Sequence, residues 1–150
     1  MAVLGRYPVI YGGDPIVRLI NWQQLKLAYQ LPMIQVLVHL ATRVSPDPVF
    51  LRLVLVAIAA AGACGMARLA EVTFGRRAGI YAGLLFASNH FLIYLGNSPY
   101  QEVLELTLLL WGLALIFGEA SAARVAGYLL LAAACLTRYE AWCVVAAAAI

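Results

Sequence analysis

Five charged side chains have types and positions suited to moving a proton and holding an anion. Asp14 stands in the Gly/Pro turn Tyr11-Gly12-Gly13-Asp14-Pro15 and is the only acid among the first 46 residues. Glu102 and Glu105 are three apart and share one face of a helix. Arg138 and Glu140 lie in Leu136-Thr137-Arg138-Tyr139-Glu140. A carboxylate can take the proton of an attacking hydroxyl. An arginine fork matches phosphate oxygens and offsets the charge growing on a phosphate leaving group. Those two roles suffice for glycosyl transfer from a phosphate-linked donor, where positive charge develops at the anomeric carbon. Tyr100, two residues before Glu102, is a supporting candidate, as are Glu105 and Glu140. Each residue also has a plainer role. Asp14 before Pro15 makes a good N-cap for a helix over 16–25, Glu102 and Glu105 suit the first turn of a helix, and Arg138 suits a helix end where its head reaches water. Being two apart, Arg138 and Glu140 would point to different helix faces, which leaves Arg138 to meet an anion from elsewhere.

The elements that must position these groups are apolar. Of 150 residues, 65% are hydrophobic and 11% charged, against roughly 25% charged in soluble domains. With a mean hydropathy of +0.90, the expected fold is all-α, a polytopic helical membrane protein. The formal charge of +3 is scattered, with no basic cluster interleaved with aromatics, so a nucleic-acid partner is not expected. Cys64, Cys135 and Cys143 sit in apolar runs without Cys-x-x-Cys spacing, and His39 and His90 stand alone, so no disulfide framework or His/Cys metal set is indicated. No cofactor is expected. A divalent ion held by the oxygens of Asp14 and Glu102 is the one metal arrangement the residue types allow.

In chain order, 1–15 reads as a loop, and 16–29 and 33–44 as amphipathic helices broken at Pro32 and lying along the membrane surface. Four spans follow, at 53–67 between Arg52 and Arg68, at 78–95, from Glu102 to Phe117, and over 122–137. A fifth, 141–150, is too short to cross, so the chain reads as one membrane domain of a longer protein, with 1–48 as outer loop and interfacial helices and 49–150 as spans. Residues 71–77 read as a polar hinge. Arg68, Arg76, Arg77 and Arg124 flank two of the short loops and set those toward the cytoplasm. Asp14, Glu102, Glu105, Arg138 and Glu140 then share the outer side.

The ordered set of motifs resembles the N-terminal half of the type-C membrane glycosyltransferases, the group that includes protein O-mannosyltransferases and aminoarabinose transferases. It comprises Gly13-Asp14-Pro15, Gln30-Leu31-Pro32, the run from Ala67-Arg68-Leu69-Ala70-Glu71 through Phe74-Gly75-Arg76-Arg77, Ser98-Pro99-Tyr100-Gln101-Glu102, and Leu136-Thr137-Arg138-Tyr139-Glu140. The resemblance implies a multi-pass protein of the cell (inner) membrane. Its donor would be a polyprenyl-phosphate sugar and its acceptor a protein, lipid or glycan hydroxyl at the outer face. It casts Asp14 as general base, Glu102 as the second catalytic acid and Arg138 as the donor-phosphate ligand. The chain departs from the family at Pro15, where a second acid is common, and in having no span ahead of the first loop. The competing expectations are a transporter segment, in which the charges line a path, and a non-catalytic membrane scaffold.

Overall fold

The structure, a computed structural model, describes residues 31–118 and 121–148. Asp14 and the helix expected over 16–29 lie outside the described residues. Those described form seven α-helices and no strand: α1 (Met33–Val44), α2 (Pro48–Phe74), α3 (Arg76–Ser88), α4 (His90–Gly96), α5 (Gln101–Phe117), α6 (Ser121–Cys135) and α7 (Glu140–Ala148).

Local chemistry sets the boundaries. Asp47 caps α2 by accepting from Val49 N at 2.9 Å, with Pro48 at the first helical position, where its missing N–H costs nothing. The 27 residues of α2 make it about 40 Å long, and it continues to Phe74 through the stretch expected to be a polar hinge. The hinge is Gly75 alone, whose φ of +92° is a conformation that L side chains rarely adopt. The run read as one span over 78–95 is two helices bent by 63°, because the Asn89 side chain accepts from Phe91 N and Leu92 N and starts a new helix there. At the other boundary in question, α6 stops at Cys135 rather than at 137, which releases Thr137 and Arg138 into a turn.

Helices α2 and α5 run parallel, and α3 with α4 makes the return between them. Thr107 Oγ1 lies 3.0 Å from Ile58 O, and Trp111 Nε1 donates to Ala61 O at 2.8 Å, so successive turns of α5 meet successive turns of α2. α6 runs back along α5. A Cβ added at Gly127 would stand 2.8 Å from Gly112 O, so this crossing requires glycine on both helices. α1 buries Ile34, Val38 and Ala41 against Leu51 and Leu55 of α2 and Leu104 of α5, the i, i+4, i+7 stripe of an amphipathic helix.

The outside is apolar. In the most apolar stretch of α2 only 22% of residues are buried in the chain, and Leu53, Leu84, Leu85 and Leu129 are among many large exposed hydrophobics. Of the described helices, α2 alone is long and apolar enough to cross a bilayer, and α3 with α4 passes that test as a bent pair. α5, α6 and α7, with 17, 15 and 9 residues, are shorter than the about 20 residues of a typical span.

Candidate active site

One end of the bundle is assembled from the start of α1, the start of α5 and the α6–α7 turn. The turn is held by several hydrogen bonds. Met33 N donates to Leu136 O at 3.2 Å, which ties α1 to it, and Trp142 Nε1 donates to Cys135 O at 2.9 Å. The fully buried Thr137 turns its hydroxyl onto Ala134 O. Since Arg138 follows the end of α6, its side chain is aimed by this turn and not by a helical register.

Arg138 is the hub of the site. Its Nη1 donates to Glu102 Oε1, its Nη2 to Glu140 Oε1, and its Nε to Glu140 Oε2 at 3.1 Å. Glu105 Oε2 lies 3.7 Å from the same Nε. The structure thus brings together four sequence-selected residues that are up to 38 positions apart. It also corrects one expectation: Arg138 and Glu140 do pair, because the argument from opposite helix faces fails when one partner is in a turn. The anions from elsewhere that Arg138 meets are Glu102 and Glu105.

Three carboxylates around one guanidinium leave two negative charges in excess when all are ionised. They differ in exposure, with side chains 10% exposed at Glu105, 35% at Glu102 and 63% at Glu140. The hydrogen bond to Glu140, reinforced by the Glu102 charge, raises the Arg138 pKa above its already high ordinary value. The same bond holds the Glu140 carboxyl below the usual carboxylate range. At the head of α5 the acids also lie where the helix dipole favours negative charge.

Among the described residues three buried polar side-chain atoms have no hydrogen-bond partner: Gln35 Oε1, Gln101 Nε2 and Glu102 Oε2. Such atoms cost roughly 1–3 kcal/mol each when left unmet. Sequence reasoning missed both glutamines. The available signal was Gln35 beside the apolar stripe of Ile34, Val38 and Ala41, and Gln101 one turn before the buried Leu104. Tyr100 packs its ring 6.1 Å from Tyr94 and adjoins Leu55 and Leu104 at a narrow recess. Among the described residues no group of three or more His, Cys, Asp or Glu side chains could hold a metal ion.

No family model, no characterised protein and no solved structure matches the chain.

Proposed function

We propose that the chain is part of a multi-pass protein of the inner membrane that transfers a glycosyl group from a polyprenyl-phosphate sugar to an acceptor hydroxyl at the outer face. The observation that carries this reading is Glu102. Arg138 holds one of its oxygens while the other is buried with no partner among the described residues, so the carboxylate is oriented yet keeps an acceptor site for a hydroxyl proton.

In the transfer, the acceptor O–H gives its proton to a carboxylate, Asp14 or Glu102. Its oxygen bonds to the anomeric carbon, and the bond from that carbon to the phosphate oxygen breaks, releasing polyprenyl phosphate. Arg138 offsets the charge on the leaving group. A donor phosphate must first displace a carboxylate from it, and Glu140, the most exposed of the three, is the one that yields. The membrane half of the reading is supported by the many large hydrophobic side chains exposed among the described residues. The glycine-lined crossings of α5 with α6 support it too.

The test is transfer from a radiolabelled polyprenyl-phosphate sugar in vesicles holding the chain, with protein, lipid and glycan acceptors. Glu102→Gln is expected to lower turnover by about 100- to 10,000-fold with donor binding retained. Glu140→Gln should tighten donor binding, because it removes a competitor for Arg138. Near-normal turnover in Glu102→Gln would take that residue out of the mechanism.

One observation favours a second reading, a transporter segment. Transporters place substrate and ion sites at broken helices, and the 63° bend at Asn89 is such a break. Solute uptake that is lost on replacing Asn89 or His90 but not Glu102 would favour it.

A further inference from the structure

The end of the bundle opposite Arg138 is basic. Arg68 lies in the last turns of α2, Arg76 and Arg77 open α3, and Arg124 is in the first turn of α6. Gly79 of α3 sits against Ala67 and Glu71 of α2. A cavity of about 450 Å³ with Arg68, Val72, Phe117 and Ala123 in its wall joins α2 to the α5–α6 connection. Among the described residues here the acid is Glu71, paired with Arg68 at 2.8 Å. Arg76, Arg77 and Arg124 are exposed and make no ion pair among the described residues.

Two features separate this charge from an ordinary solvated face. The first is that α3 begins with two arginines although its first turn has no acid and its cap, Gly75, supplies no side-chain hydrogen bond. A helix start carries positive potential, so arginines are disfavoured there, and a sequence that breaks this local rule calls for a compensating anion. The second is the collar around the arginines, where Phe74, Ile80, Tyr81, Phe117, Val125 and Tyr128 are all exposed. Cations above an apolar and aromatic rim are the arrangement that fits the boundary between headgroups and acyl chains.

We propose that this end binds anionic phospholipids, with headgroup phosphates against Arg76, Arg77 and Arg124 and the acyl chains on the apolar collar. The proposal rests on the membrane half of the reading above and not on glycosyl transfer. The cavity beside Arg68 offers room for a headgroup between α2 and α6.

The test titrates the chain in neutral detergent micelles with phosphatidylglycerol, phosphatidylcholine or water-soluble glycerol phosphate, following thermal unfolding by tryptophan fluorescence. Phosphatidylglycerol is expected to raise the midpoint saturably, and the other two are not. The triple variant R76Q/R77Q/R124Q should weaken the apparent affinity about a hundredfold, from roughly fivefold for each basic residue at an anionic surface. Lysine at the same three positions should keep most of it, and R43Q/R52Q, which removes charge from the far end, should leave it unchanged. An equal response to phosphatidylcholine, a shift reproduced by glycerol phosphate, or an equal loss in R43Q/R52Q would overturn the proposal. Alkaline carbonate extraction reads membrane integration separately. A chain released by carbonate yet selective for phosphatidylglycerol keeps this inference and loses the multi-pass reading.

Discussion

Replacing Arg138 by glutamine removes the cation that, among the described residues, pairs with Glu102, Glu105 and Glu140, and the cost should come mainly from Glu105. The Glu105 side chain is 10% exposed and its oxygen lies 3.7 Å from Arg138 Nε. With an effective dielectric constant of about 20, one pair at that distance is worth roughly 4.5 kcal/mol, and breaking a buried pair by removing one partner costs about 3–5 kcal/mol. Glu102, with a 35% exposed side chain, adds about 1 kcal/mol at most once solvent screening is counted. Glu140 is exposed and adds nothing to the sum. Arg138→Gln should therefore destabilise the chain by about 3–5 kcal/mol, measured as reversible unfolding in mixed micelles. Glu105→Gln on that background removes the orphaned charge at nearly constant shape and should restore about half the loss, a double-mutant coupling well above the noise. A loss below about 1 kcal/mol for Arg138→Gln, or a double variant no more stable than the single, would refute the reasoning.

Gly127→Ala should destabilise by about 1–3 kcal/mol and loosen α6 from α5, because the new Cβ would meet Gly112 O at 2.8 Å, a backbone atom that cannot step aside; equilibrium unfolding checks it. Asn89→Ala should cost about 1 kcal/mol through loss of the α4 cap, with hydrogen exchange rising first at Phe91 and Leu92. For Glu140 the folded pKa is depressed by its hydrogen bond from Arg138. Its contribution is thus present above the ordinary value of 4.5 and lost as pH falls through the lower folded pKa. In an NMR titration Glu140 should protonate below 4.5, and Arg138→Gln should move its titration upward, the backbone hydrogen bond at Glu140 being left in place.

The sequence by itself determined the helical class, the order of the helices and the sharing of one bundle end by Glu102, Glu105 and Glu140. These follow from short-range rules. Apolar runs of fixed length alternate with turns, and a chain that reverses at each turn sends every second loop to the same end, whereas the Asp47 cap that starts α2 and the Gly75 that ends it were read only as a turn and as part of a polar hinge. Which ionisable side chains touch was not legible. Sequence spacing assigned Arg138 and Glu140 to different faces, and only the early end of α6 at Cys135 put Arg138 in a turn where Glu102, Glu105 and Glu140 converge. The 63° bend at Asn89 was hidden for a similar reason, since hydropathy averages over a window and does not register one side chain capping a new helix. Along the chain Gln35 reads as a polar interruption and Gln101 as the end of a turn. Only the packing of α1 on α2 and α5 decided that they are buried, because burial depends on which helices meet, and that is settled between distant segments.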